Sequence, residues 1–340
     1  MVKKILLYSF LVILIVAAVA AWKLLGPGTS FEGNRYFLYI KTGSNFSDVM
    51  QDIRKDKVLI SPWLFEKLSE RADLPEKLKA GKYEITRGMN LINVVRMLRN
   101  GRQSPVNLII TKLRTKEEFA KFAGHQLECD SAAIISLMEN PDSTKKFGVD
   151  SNTVMTLIIP NTYTMYWNTT PSKLIRRLYS ESEKFWNEER KDKARKLGLT
   201  TGQVYTLASI VEEETNKHDE MPLISSVYLN RVNKGMRLGA DPTIKFAARD
   251  FAARRVTLKM ISETSESPYN TYRNAGLPPG PICTPSIKTI DAILSTEPTN
   301  YLYFCAKPDF SGYHAFAETD AEHLKNARAY QKALDSLQIR

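Results

Sequence analysis

Glu212, Glu213 and Glu214 stand in a row at the end of an apolar stretch that begins just after Thr200. Thr200-Thr201-Gly202-Gln203 has capping-box spacing, a hydroxyl residue followed three positions later by Gln, so a helix is predicted to start there. At ~100° per residue Val204, Leu207, Ala208, Ile210 and Val211 share one face, and Glu214 falls among them. Glu212 lies at the edge of that face beside Ala208 and Tyr205, and Glu213 points to the opposite side. A carboxyl group on an apolar face loses hydration when it ionises, which raises its pKa and lets it hold a proton near neutrality. Protonating a leaving-group oxygen requires a proton held in that way. The bland alternative is an ion pair between Glu214 and an arginine such as Arg231 on a following helix, with no chemistry. Periodicity alone leaves both readings open.

Three segments downstream, Arg237 to Thr243, Ser267 to Tyr272 and Gly276 to Ile282, are rich in turn residues and read as poor helices or strands. They suit the wall of a cleft. Asp241, Asn270 and the hydroxyls of Tyr269 and Tyr272 are expected to bind sugar hydroxyls, while the rings offer apolar platforms. The proline-rich segment is also read as a rigid structural turn. Glu214 and His218 are four apart, as two ligands of one metal ion on a helix would be, but no H-E-x-x-H arrangement or further spaced ligand accompanies them. His218 therefore reads as solvated, and no metal or cofactor is expected. His314, near Tyr313 and Phe316, reads either as part of the cleft or as a core or surface residue.

The elements that must position these groups belong to an exported chain. Ile5 to Trp22 is an uncharged run of 18 residues between Lys3-Lys4 and Lys23, just enough at ~1.5 Å per residue to cross a hydrocarbon core. The flanking charges put the short N-terminal tail in the cytoplasm and the rest of the chain outside, in a cell (inner or plasma) membrane. Ala18-Val19-Ala20 also fits a signal-peptide cleavage site, but the apolar run exceeds the usual ~7–15-residue signal core, which favours a retained anchor. Gly26-Pro27-Gly28 breaks the helix. From Tyr36 to about Arg102 the pattern reads strand, helix, helix, strand, helix, with Ser61 and Asn90 as caps and no catalytic grouping. Strand-like runs follow at Val106 to Thr111 and within the aromatic segment Thr156 to Trp167, which reads as core or as a surface for sugar rings; Glu181 to Lys196 reads as a solvated charged helix. The 340 residues carry 48 Lys and Arg against 37 Asp and Glu, a net charge of +11 that favours anionic partners. No RNA-binding, zinc-finger or helix-turn-helix signature is present, so nucleic acid is not an expected partner. Cys129, Cys283 and Cys305 form no C-x-x-C pair, which excludes a thioredoxin-type motif.

Ala208-Ser209-Ile210-Val211-Glu212-x-Glu214-Thr215, Asn230-Arg231, Gly235-Met236-Arg237-Leu238, Asp241-Pro242-Thr243, Tyr269-Asn270-Thr271-Tyr272, Gly276-Leu277-Pro278-Pro279-Gly280 and Tyr301-Leu302-Tyr303-Phe304 occur in collinear order. In these motifs the chain resembles the YceG-like family of endolytic murein transglycosylases. The resemblance implies an α+β protein: residues 1–30 as tail, transmembrane helix and linker, 35–105 as a LysM-like module, and 106–340 as a mixed α/β YceG-like domain with its catalytic core at about 196–340. It implies a lyase that cuts the bond from N-acetylmuramic acid to N-acetylglucosamine in nascent peptidoglycan and leaves a 1,6-anhydro end. It also carries the acid/base role to Glu214, with Glu212, Asp241, Thr243, Tyr269, Asn270, Tyr272 and His314 about the substrate. A cell-wall synthase complex is the protein partner it suggests. Gly239 and Asn161 depart from the family's usual longer polar residue and Asp, which touches substrate contacts rather than the reaction.

Most glycosidases flank the scissile bond with two carboxylates. Glu212 and Glu214 are ~200° apart on one helix and cannot do so. Attack by the muramyl 6-hydroxyl removes the need, since no water has to be activated. Two rivals remain: a muramidase-type hydrolase with Asp241 as the second carboxylate, and a non-catalytic, membrane-anchored glycan-binding scaffold.

Overall fold

The computed structural model describes residues 2–336 and divides into two compact units. The first comprises the chain up to Leu108 together with 125–129 and 164–170; the second holds the rest. The architecture is α+β, as expected, with one long apolar helix at its start.

In the first unit the apolar side chains of helix Val2–Leu25 are exposed from Ile5 to Trp22, and an 18-residue window of its span Lys3–Leu25 has a mean hydropathy of 2.7. Those 23 residues extend the uncharged run at both ends, and at ~1.5 Å each they cover a hydrocarbon core of ~30 Å. Strand Arg35–Ile40 pairs antiparallel with Gly81–Thr86, in register from Arg35 opposite Thr86 to Ile40 opposite Gly81. Period-two alternation puts Leu38, Ile40, Tyr83 and Ile85 on the buried face. Onto it pack Val49, Met50 and Ile53 of helix Phe46–Lys55, Phe65 of Pro62–Arg71, and Leu91, Val94, Val95 and Leu98 of Leu91–Asn100. Asn45 and Asp48 form a capping box, and the Asn90 side chain accepts from the Asn93 N–H at 2.8 Å. Ser61 stands at the expected cap position, but its side chain makes no capping bond; the fixed φ of Pro62 starts that helix. The two later segments are tied in by Glu128, which accepts from the Thr42 N–H and hydroxyl at 2.5 and 2.7 Å, and by Trp167, edge-on to Tyr39 at 5.1 Å.

The second unit is built around helix Thr201–Glu214. Its capping box is complete, and every residue from Val204 to Val211 is buried, so it is a core helix wrapped on all sides. The expectation of one apolar face understates this. Around it lie helices Met221–Asn233, Asp241–Ala247 and Ile287–Leu294 and the 3-10 turn Val154–Leu157. The Tyr205 hydroxyl, inside the core, donates to the Ile158 carbonyl at 2.6 Å. A second correction concerns Asp241-Pro242-Thr243, expected in a turn: it is the first turn of Asp241–Ala247, where the missing N–H of proline has no cost. Strands Tyr303–Ala306 and His314–Ala317 form a hairpin, against which helix Asp320–Ser336 packs.

Candidate active site

The central helix ends at Glu214, because Thr215 turns to an extended conformation while its N–H still reaches the Val211 carbonyl at 3.3 Å. The three glutamates of that last turn diverge into three environments. Glu212 points toward the start of helix Ile287–Leu294, where its Oε2 accepts from the Thr289 hydroxyl and from the Ser286 N–H. Glu213 ion-pairs with Lys112 and Arg114, each at 3.0 Å. Burial pushes Glu213 up, but the two cations outweigh it and hold the carboxyl below its ordinary range.

Glu214 is compensated only in part. Its Oε2 is sequestered from solvent with no hydrogen-bond partner, an arrangement that penalises a charge far more than a proton. Desolvation, followed by the negative charge of Asp241, pushes its pKa from 4.5 up to about 7; Lys245, Arg231 and a hydrogen bond from Tyr228 pull the other way. The alternative of a Glu214–Arg231 ion pair does not describe this site. The Arg231 guanidinium donates to the Leu302 and Leu238 carbonyls, both at 2.6 Å, and lies 5.3 Å from the Tyr303 ring.

The remaining expected residues separate into groups near open space and groups within the scaffold. Asp241 is exposed and accepts from the Tyr272 hydroxyl at 2.5 Å, so these two form one unit whose charge acts on Glu214. Tyr269 is half-buried, its ring 4.7 Å from Phe246. His314 lies beside a buried carboxylate: Glu220 accepts its backbone N–H at 2.8 Å and meets its Nδ1 at 3.0 Å. Asn270, by contrast, is fully buried; its amide donates to the Ile261 and Thr264 carbonyls at 2.9 and 3.2 Å, and its Oδ1 accepts from the Tyr272 and Arg273 N–H groups at 3.0 and 3.1 Å. Thr243 is equally buried, donating to the Ala240 carbonyl at 2.7 Å and sharing a bond with Thr271. With their hydrogen-bonding capacity used inside the protein, Asn270 and Thr243 brace the turn that carries Tyr272 and the helix start that carries Asp241. That replaces the expectation that they meet sugar directly.

The proline segment is a rigid structural turn. The Ile282 N–H donates to the Ser209 hydroxyl at 3.0 Å, fastening it to the central helix. Gly280 leaves no room for a side chain, since a Cβ there would lie 2.1 Å from the Asn152 carbonyl oxygen.

Three recesses adjoin along this side of the unit. The largest, about 450 Å³, is lined by Glu212, Glu213, Glu214, Lys112, Lys217 and His314 among others. It shares Glu213 with a second of about 150 Å³, which includes Lys245 and Phe246, and that one shares Arg114 and Phe246 with a third of about 110 Å³. Lys112, Arg114, Tyr228, Lys245 and Glu220 went unnoticed in the sequence. Lys112 and Arg114 lie about a hundred positions from Glu213, and no local pattern links them.

The sequence pattern of the YceG-like family matches residues 38–329. The chain belongs to that family. It is 27% identical over 306 residues to the endolytic murein transglycosylase of Bacillus subtilis strain 168, covering 86% of this chain and 83% of that protein. The endolytic murein transglycosylase of Streptococcus pneumoniae R6 is 26% identical over 325 residues, which span 84% of this chain but 57% of that longer protein. A crystal structure of a YceG-like protein from Listeria monocytogenes superposes with a TM-score of 0.57 at 27% identity, covering 86% of this chain and 98% of the other.

Proposed function

We propose that this YceG-like protein is a peptidoglycan lytic transglycosylase, an endolytic lyase with Glu214 as general acid and then general base. The observation that carries the reading is a carboxyl group with one oxygen sequestered and unpartnered, lining a groove of about 450 Å³ and poised to ionise at about 7. The names of the relatives supply the substrate class, murein. Protonated Glu214 gives its proton to the glycosidic oxygen, and the bond from that oxygen to C1 of N-acetylmuramic acid breaks as positive charge builds on the ring. The 6-hydroxyl of the same sugar then bonds to C1, and the Glu214 carboxylate takes the hydroxyl proton. The enzyme returns to its starting state with no water consumed, and the product is a 1,6-anhydro end.

In this reading Asp241 and Tyr272, joined by their hydrogen bond, face the sugar beside the acid, Tyr269 and His314 extend the contact surface, and Asn270 and Thr243 support them from below. Glu212, held by Thr289 and Ser286, fixes the last turn of the helix. The apolar helix Val2–Leu25 acts as a single-pass anchor with a cytoplasmic N-terminus, which places the second unit outside the membrane near newly made strands and their synthases. The strand–helix–helix–strand–helix arrangement of the first unit supports its reading as a LysM-like glycan-binding module.

Hydrolysis is the second reading, because the negative charge of Asp241 acts on Glu214 and a nearby second carboxylate is what activating water would need. Mass analysis of products from uncrosslinked glycan decides between them. Ends lighter by one water are expected from the wild type and none from Glu214→Gln. Reducing ends in their place establish a muramidase, and anhydro ends released by the Gln variant overturn the role of Glu214.

A further inference from the structure

The recess of about 110 Å³ next to the acid's groove has a composition that sugar binding does not explain. Arg114, Lys116 and Arg249 line it, with no carboxylate among its lining residues, over an apolar floor that includes Met155, Phe246 and Tyr269. Each cation has a carboxylate partner outside the recess: Glu213 at 3.0 Å, Glu139 at 3.1 Å and Glu117 at 3.3 Å respectively. Two of those pairs are weak tethers, because Glu139 and Glu117 have side chains 52% and 54% exposed and water competes for them. An incoming anion meets three positive groups converging on a partly dry shelf, where charge-assisted hydrogen bonds gain strength. Arg114 is shared with the intermediate recess and through Glu213 with the groove of Glu214, so a ligand branching from a strand in that groove reaches the cations without leaving the surface.

Murein offers one group with this chemistry. The lactyl ether of each muramyl residue carries a short peptide that ends in a carboxylate next to small apolar side chains. We propose that Arg114, Lys116 and Arg249 form a subsite for a carboxylate of the peptide stem, so that the enzyme selects stem-bearing over naked glycan. The inference rests on the murein reading of the groove and adds the part of the substrate that sets its affinity. Uniform binding of a group remote from the scissile bond acts on KM more than on kcat.

The test uses the full chain in detergent on two substrates, uncrosslinked strands with intact stems and the same strands stripped by an amidase, with kcat and KM measured for wild type and Arg249→Gln. Removing one exposed charge–charge contact is expected to raise KM about 3- to 10-fold on stem-bearing strands, and the penalty shrinks below about twofold on stripped strands. Stripping alone raises the KM of the wild type. Equal penalties on both substrates, or no preference for stems in the wild type, overturn the subsite. Should neither substrate yield cleaved ends, the catalytic reading fails separately; cosedimentation of the unreactive chain with each kind of strand then supports the subsite if stem-bearing strands bind more tightly and overturns it if they bind alike.

Discussion

Replacing Glu214 with Gln should stabilise the protein at alkaline pH and do much less in acid. The folded chain holds this carboxyl at about 7 against an ordinary 4.5, so folding favours its protonated form. Below the unfolded value both states carry the proton and nothing is lost; as pH rises from 4.5 to about 7 the unfolded chain ionises first, and native stability declines until the folded group has ionised too. At ~1.4 kcal/mol for each tenfold difference in proton affinity, the full loss is about 3 kcal/mol. One oxygen is sequestered but the side chain also lines an open groove, so halving that figure for solvent screening leaves about 1.5 kcal/mol. Glutamine keeps the shape and cannot ionise. Its stability relative to wild type should therefore improve by about 1.5 kcal/mol between pH 4.5 and pH 8, about 3–6 °C in melting temperature for a unit of this size. Thermal unfolding of both proteins, side by side at the two pH values, measures it. A melting difference that stays constant across that range would mean that Glu214 is an ordinary solvated carboxylate, and the proton donor would have to be sought elsewhere.

Asp241→Asn removes the charge that, after burial, does most to raise Glu214, so the fall of kcat/KM above about pH 7 should move to lower pH; a pH–rate profile with that limb unmoved contradicts the coupling. Asn270→Ala deprives two carbonyls and two N–H groups of the partner they share in a buried side chain and should cost about 2–4 kcal/mol of stability, read as a lower denaturant midpoint. An unchanged midpoint with a raised KM would instead return Asn270 to the sugar.

The parts of this site that were legible in the sequence are those governed by local rules. The Thr200–Gln203 capping box fixes where the central helix starts, and stepping along it carries Glu214 round to the apolar side at the helix's last turn. The strand–helix pattern of the first unit is local in the same way: Asn90 caps its helix through an N–H three residues on. Ser61 shows how far such rules reach, since cap position and a following proline can start a helix without the side-chain bond. What the sequence concealed depends on tertiary neighbours. Glu213, which helical stepping puts on the side opposite the apolar face, is partly buried against Lys112 and Arg114, which come to it from a segment about a hundred residues earlier. Asp241-Pro242-Thr243 looked like a turn because proline and aspartate favour turns, yet the same pair favours a helix's first turn, and only the packing of Ile244 and Phe246 into the core decides between them.

The electrostatic result follows from that division. Three adjacent carboxylates of one chemical type are driven apart by what each reaches: hydroxyl and amide donors for Glu212, two cations for Glu213, and for one oxygen of Glu214 nothing at all. Lys245, Arg231 and Tyr228 offset part of the desolvation of Glu214, and on the proposed mechanism that balance lets one carboxyl group give a proton in the first half of the reaction and take one back in the second.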